Sequence, residues 1–231
     1  MKAVIFDFNG TLFYDSDKHY IAWRRFFERR NLPVPSIEEF WRDFAGTTNT
    51  DILQRCVDKS ITPEQVLLAV EEKENLYFEA LLEDPARLRL NEGAEAFFDL
   101  LAERNIPFMI ATGSAKQNMD FYFKHLSIGR WFSYDNVIYD DYSRRGKPDP
   151  DIYLDAAKQL GYPISECVVF EDALAGYIAA STAGAGGIVM VGPPRDTAEF
   201  ESLPYVTEII RDFKNPKALL EKLGFTKSES W

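Results

Sequence analysis

The sequence predicts an α/β protein: a doubly wound, mostly parallel sheet from residues 1–14 and 86–231, with an α-helical domain inserted at residues 15–85. Three observations lead there. Short apolar runs rich in β-branched residues, such as Ala3–Phe6 and Cys167–Phe170, have the pattern of strands buried on both faces. From Arg87 onward such runs alternate with helical stretches, which implies right-handed crossovers between parallel neighbours. Residues 15–85 carry helical periodicity and helix caps, and no strand pattern interrupts them.

Ala3–Phe6 is the first strand; it stops at Asp7, and Gly10-Thr11 turns the chain. Asp15 to Arg30 sets Tyr20, Trp23, Phe26 and Phe27 against Arg24, Arg25, Glu28 and Arg29, an amphipathic helix ended by Pro33 and Pro35. Ser36-x-x-Glu39 is a capping box for a helix through Phe40, Trp41 and Phe44 that closes at Gly46. Asp51–Val57 reads as a short third helix. Thr62-Pro63-Glu64-Gln65 supplies an N-cap, a proline at the first helical position and a glutamine at the third, opening a long helix to Leu82. Beyond Arg87 the order is helix Gly93–Arg104, strand Pro107–Ala111, helix Lys116–His125 and strand Asn136–Tyr139. Asp149-Pro150 caps a helix ending at Gly161; strand Cys167–Phe170 and the small-residue helix Ala173–Ala183 follow. Gly187–Val191 and Val206–Ile210 complete the strands, and the tail 227–231 is expected to fray.

A chain of 231 residues accommodates one large domain, or one domain with a sizeable insertion. A hydrophobic content of 46% and an aromatic content of 14% support a packed core and argue against disorder. The net charge is −11, and the basic pairs Arg24-Arg25 and Arg29-Arg30 fall on the outer face of a helix, so nucleic acid is not expected as a partner. No run is apolar for long enough to span a bilayer, and a strand starting at residue 3 leaves no room for a signal peptide; a cytoplasmic protein without membrane partners is expected. Cys56 and Cys167, far apart in apolar-periodic contexts, read as buried reduced thiols, and neither reads as a nucleophile.

Asp7 is the first candidate for chemistry. A carboxylate at the carboxyl end of a buried parallel strand lies where open α/β sheets bind ligands. The same residue also suits a helix cap. Three later segments bring polar groups to strand ends. In Thr112-Gly113-Ser114 a hydroxyl and backbone N–H groups can bind a phosphoryl oxygen, or the threonine can cap the next helix. Gly146-Lys147-Pro148-Asp149-Pro150 holds a cation in a short, framed loop. Glu171-Asp172 ends its strand with adjacent acids that repel each other and Asp7, raising carboxylate pKa values unless a cation binds. Magnesium, with few carboxylates, retained water and a phosphate oxygen, is the expected ion; a cap role for Asp172 is the alternative.

Asp7-x-Asn9-Gly10-Thr11-Leu12 resembles the first motif of the haloacid dehalogenase-like (HAD) hydrolases, and the three later segments are similar to that family's other motifs in their order. The resemblance covers essentially the whole chain and implies a Rossmann-like core with an inserted helical cap lying over the site. It implies that Asp7 is the nucleophile and carries a phosphoryl group covalently, that Thr112 binds that group, and that Lys147 neutralises both. It also implies Mg2+ held by Asp7, the main-chain carbonyl of Asn9, and Asp172, with Glu171 at or beside the ion. Most phosphatase members carry a second Asp, a general acid and base, where Asn9 stands. An amide can hydrogen-bond there but cannot exchange a proton near neutral pH.

An insertion between the first and second motifs resembles the subgroup of β-phosphoglucomutase, phosphoglycolate phosphatase, phosphonatase and the dehalogenases. His19-Tyr20-x-Ala22-Trp23 is similar to the mutase's first cap helix, Phe44-Ala45-Gly46 with Ile52-Leu53 to its specificity loop, and Lys73 to a cap lysine reaching the site. Substrate contacts from His19, Gly46 and Lys73, joined by Gly113, Ser114 and Lys116 of the core, are what this implies. Asn49 stands in place of an arginine that grips a second sugar phosphate. Dehalogenases usually have Tyr at position 9 and phosphonatases Ala, so Asn9 fits neither. The expected activity is Mg-dependent phosphoryl transfer, of phosphatase or phosphohexomutase type, on a small phosphorylated metabolite by a monomer or weak dimer, with turnover weakened by Asn9. Two alternatives stay open: a binding or regulatory relative without turnover, and an Asp-to-Asn change introduced into an active enzyme.

Overall fold

The computed structural model describes residues 1–44, 48–141, 143–192 and 200–225. Gly46 and the tail 227–231 lie outside the described residues. The chain divides into two compact units, residues 15–88 and residues 1–14 with 89–231.

The first unit is helical: α1 (Ser16–Arg29), α2 (Ile37–Phe44), α3 (Asn49–Cys56) and α4 (Pro63–Leu82). Capping boxes open three of them, from Ser36 with Glu39, Thr48 with Asp51 and Thr62 with Gln65. Each satisfies two backbone donors that the first turn leaves over. α1 packs along α4, burying Trp23, Phe26 and Phe27 on one helix and Leu76, Tyr77, Ala80 and Leu81 on the other. The arginine pairs of α1 all meet glutamates: Arg24 with Glu28, Arg25 with Glu83, Arg29 with Glu79 and Arg30 with Glu72.

Among its described residues, the second unit has a six-stranded sheet of β1 (Ala3–Phe6), β2 (Phe108–Ala115), β3 (Val137–Asp140), β4 (Cys167–Glu171), β5 (Gly187–Val191) and β6 (Val206–Ile210). The order is β3-β2-β1-β4-β5-β6, and every pairing is parallel. All of β1 is buried, as an apolar run at the centre of a two-sided sheet must be. On one face Phe6 and Phe170 meet Phe97 and Phe98 of α5 (Ala94–Glu103) and Phe213, with ring centroids 4.9 Å apart for Phe6–Phe170 and 5.4 Å for Phe6–Phe98. Such ring pairs add about 0.5–1.5 kcal/mol each beyond their buried area. On the other face Ile5, Met109, Val169 and Met190 pack against Tyr153 and Ala156 of α7 (Asp151–Leu160) and Ala179 and Ala180 of α8 (Leu174–Ala183). α6 (Lys116–His125) follows β2, and α9 (Pro216–Lys222) lies against α5. Phe6 sits beside Ile110 on one side and Phe170 on the other. The carboxyl ends of β1, β2 and β4 are therefore neighbours.

Several elements differ from expectation. β2 does not stop at Ala111 but runs to Ala115, where it pairs with Asp140 of β3. Ala115 takes the N-cap position of α6, so Thr112 is not its cap. α8 starts behind Ala173, so Asp172 caps nothing there. Pro150 precedes α7 without a side-chain cap from Asp149. α9 is a helix that was not among those expected. Cys56 is only half-buried, whereas Cys167 is buried and its thiol is pushed up to about 11 by burial and then by Glu166. Among the described residues, no helix is long and apolar enough to cross a membrane.

Candidate active site

The site begins in the turn after β1. The Asp7 N–H donates to the Phe170 carbonyl at 2.9 Å, extending the sheet one residue past the strand. The Leu12 and Phe13 N–H groups then fold back on the Phe8 carbonyl at 2.8 and 3.0 Å. Gly10 has φ +81°, and a Cβ there would lie 1.9 Å from Asp172 Oδ2. Glycine is needed both for the left-handed backbone and for the space that Asp172 occupies. Asn91 fastens the turn from outside, through its N–H to the Leu12 carbonyl at 2.7 Å and its Nδ2 to the Thr11 carbonyl at 3.2 Å.

Asp7 is buried, and Lys147 Nζ donates to its Oδ1 at 2.6 Å. The lysine, placed by the loop before the cis Lys147–Pro148 peptide, also bonds Glu171 Oε1. Tyr153 of α7 donates its hydroxyl to that same oxygen at 2.6 Å. The other oxygen of Glu171 accepts the N–H groups of Asp172 and Ala173 at 2.9 and 3.1 Å. Gly176 makes room for this carboxylate, because a Cβ there would lie 1.7 Å from Oε1. Asp172 Oδ1 accepts the Thr11 hydroxyl at 3.1 Å.

Two carboxylates thus hold one ammonium, and a third, Asp172, lies beside them. Burial works against the charge on Lys147, but Asp7 and Glu171 outweigh it and raise its pKa well above the usual lysine range. Burial, then the Glu171 and Asp7 carboxylates, push Asp172 well above the usual carboxylate range. One oxygen from each of Asp7, Glu171 and Asp172 lies within 4.8 Å of the others. With Asp172 deprotonated the set would carry two negative charges in excess, and its hard oxygen donors fit a divalent cation such as magnesium. Glu171 already accepts four protein donors, so Asp7 and Asp172 are the carboxylates better placed to hold it.

Asn9 is wired into the same end of the sheet. Its Oδ1 accepts the Ser114 hydroxyl at 2.6 Å, and its Nδ2 donates to the Tyr122 hydroxyl at 2.7 Å. Tyr122, on α6, stacks on Phe8 with ring centroids 4.6 Å apart. The ninth side chain is therefore held in one orientation from two sides.

The family model for haloacid dehalogenase-like hydrolases matches residues 1–184. The chain belongs to this family. A HAD hydrolase of family IA, variant 3, from Entamoeba histolytica superimposes with a TM-score of 0.87 at 34% identity, covering 97% of this chain and 100% of that one. β-Phosphoglucomutase from Clostridium difficile gives a TM-score of 0.76 at 26% identity, over 97% and 98% of the two chains. By sequence, a phosphorylated carbohydrates phosphatase of Thermotoga maritima is 28% identical over 187 residues, 80% of this chain and 82% of that protein.

In this HAD hydrolase the structure brings Asp7, Lys147, Glu171 and Asp172 together. Thr112, buried in β2, accepts the Ser114 N–H on its hydroxyl oxygen at 3.1 Å, and Ser114 in turn reaches Asn9. Gly113 between them is exposed, with open space beside it. Lys116 is not drawn into this set; its Nζ bonds both oxygens of Asp120 at 2.9 Å. His19 and Lys73 meet inside the helical unit, Nδ1 to Nζ at 2.8 Å. The ammonium donates there, which puts the imidazole proton on Nε2, 3.3 Å from Asp15 Oδ2. Lys73 also donates to Glu74 Oε1 at 2.8 Å, and Tyr77 stacks on His19 and bonds Asp15. Thr11, Tyr122, Tyr153 and Gly176 were missed. Thr11 stands inside the first motif, where its role could have been suspected. The two tyrosines look like ordinary core positions of amphipathic helices.

Proposed function

We propose that this HAD hydrolase moves the phosphoryl group of a small phosphorylated carbohydrate through a covalent intermediate on Asp7, with magnesium required and turnover limited by Asn9. The observation that carries the proposal is the double grip of Lys147 on Asp7 and Glu171 at the end of the central strand. It orients a carboxylate and sets a fixed positive charge where phosphoryl oxygens would crowd. The Thermotoga maritima relative, named for phosphorylated carbohydrates, and the mutase neighbour support the substrate class.

Asp7 attacks phosphorus in line, and the bond to the sugar oxygen breaks with its electron pair on that oxygen. Lys147 and the Thr112 hydroxyl meet the charge on the equatorial oxygens. The leaving oxygen collects its proton from solvent, because Asn9 has none to give. Bound magnesium supplies further neutralisation of the phosphoryl oxygens beside Asp7 and Asp172. Attack by water on the phospho-aspartate completes a phosphatase; attack by a second sugar hydroxyl completes a mutase. His19 and Lys73 of the helical domain are assigned to substrate binding, and the enzyme acts in the cytoplasm as a monomer or weak dimer. Intact-mass analysis after mixing with a reactive phosphate ester and magnesium tests the proposal. One added phosphoryl group, absent from Asp7→Ala, is the expected result. Equal labelling or equal turnover in Asp7→Ala would overturn it.

A further inference from the structure

We infer that Tyr153 is a positioning residue for the lysine of the site: its hydroxyl shares Glu171 Oε1 with Lys147 and so keeps that lysine balanced between Glu171 and Asp7. The inference rests on the phosphoryl-transfer reading above and deepens it.

Tyr153 is fully buried on the sheet-facing side of α7. A buried tyrosine there needs a partner for its hydroxyl, and any backbone carbonyl would serve. This one donates instead to a carboxylate, at 2.6 Å. Its ring also faces Lys147, with Nζ 5.0 Å from the ring centroid. One side chain therefore touches both members of the ion pair, Glu171 with its hydroxyl and Lys147 with its aromatic face.

The rest of Glu171 is fixed. Two backbone N–H groups hold Oε2, and Gly176 leaves only enough room for the carboxylate. What can vary is how Oε1 is divided between its two donors. With the tyrosine bond in place Glu171 attracts Lys147 less, and the ammonium keeps its 2.6 Å contact with Asp7. Without it Lys147 takes the whole of Oε1 and settles on Glu171, away from the nucleophile. Phenylalanine would preserve the packing and the ring beneath the ammonium, but not this division. Tyr153 touches no reacting atom, so its effect must run through Glu171.

The test compares Tyr153→Phe, Glu171→Gln and the double variant in the Asn9→Asp background, with p-nitrophenyl phosphate and magnesium. Tyr153→Phe should lower kcat about tenfold, the rate equivalent of one hydrogen bond to a charged group, with KM within about twofold. In the Glu171→Gln background the same change should do almost nothing, because the residue it acts through is altered. A tenfold loss that persists beside Glu171→Gln, or a change confined to KM, overturns the inference. A crystal structure of Tyr153→Phe decides it independently of turnover: Lys147 should leave hydrogen-bonding range of Asp7, and an unchanged contact overturns the assignment. Absence of turnover in every variant, Asn9→Asp included, would instead count against the phosphoryl-transfer reading.

Discussion

Asn9→Asp exchanges one NH2 for an oxygen in a side chain that the structure holds from two sides. Ser114 can go on donating to Oδ1, as it does now at 2.6 Å. Tyr122, which now accepts from Nδ2 at 2.7 Å, can turn its hydroxyl and donate to the new oxygen. Both contacts survive, so the substitution changes proton exchange and little else in the position of the group. General acid–base help is worth ~10²–10⁴-fold, which at ~1.36 kcal/mol per decade lowers the barrier by about 2.7–5.4 kcal/mol. Two substrates divide that gain between steps. A sugar phosphate has a poor leaving group, so Asn9→Asp should accelerate both formation and hydrolysis of the phospho-aspartate. p-Nitrophenolate needs little protonation, so with that ester the Asn9 protein should release a rapid burst of one product per chain and then slow. Asn9→Asp should erase the burst and raise the steady rate. The assay is stopped-flow release of p-nitrophenolate, with intact mass taken during the slow phase. Equal steady rates in the two proteins, with no burst and no phosphorylated chain, would refute the placement of position 9 in proton transfer.

Two further outcomes follow from the carboxylate cluster. The raised pKa of Asp172 means that the folded chain holds a proton that the unfolded chain releases near the ordinary value of 3.8. Without divalent cation, its contribution to stability therefore declines as pH rises from about that value through the raised pKa. Saturating magnesium should replace the proton and flatten the decline, giving about 2.7 kcal/mol at a hundredfold excess over Kd; urea midpoints across pH, with magnesium or EDTA, measure it, and parallel curves would contradict it. Gly176→Ala should expel the Glu171 carboxylate, since the new Cβ would lie 1.7 Å from Oε1. A loss of about 1–3 kcal/mol in urea unfolding is expected together with loss of turnover, and an equally stable, fully active variant would show that Glu171 needs no such pocket.

Much of the fold was legible because strands such as β1 and β4 are apolar on both faces and the helices behind Ser36 and Thr62 carry capping boxes. β1 is such a run, but the acid that ends it suited a helix cap as well as a ligand edge, and only the motif around it, Asn9-Gly10-Thr11-Leu12 with the three later segments, favoured the second reading. The box at Thr62 and Gln65 gave the start of α4 for a local reason. Thr112-Gly113-Ser114 misled because its composition is that of a loop; the ladder to β3 carries it as strand up to Ala115. Asp172 allowed a cap or a ligand role, and only the start of α8 at Leu174 separates them. Asn215-Pro216 does carry a helix-start signal, but a helix of seven residues leaves too little periodicity to detect. Tyr122 and Tyr153 were invisible for a different reason. An aromatic on the inner face of an amphipathic helix announces burial, and nothing in one dimension shows that its hydroxyl ends on Asn9 or Glu171.

The position of β1 in the sheet sets a timetable for synthesis. It leaves the ribosome before the strands it pairs with, yet it is one of the two central strands, and one of its two neighbours is complete only when Glu171 has been added. At ~5–20 residues per second, the roughly 165 residues between Phe6 and Glu171 take on the order of 10–30 s. The helices up to Leu82 are all made within that interval, before either neighbouring strand of Ala3–Phe6 has been added. Lys2 on one side and Asp7 on the other flank the waiting segment with charge, as residues that discourage aggregation do. The acid assigned here to chemistry in the finished enzyme is thus also well placed to protect the nascent chain before there is a site to serve.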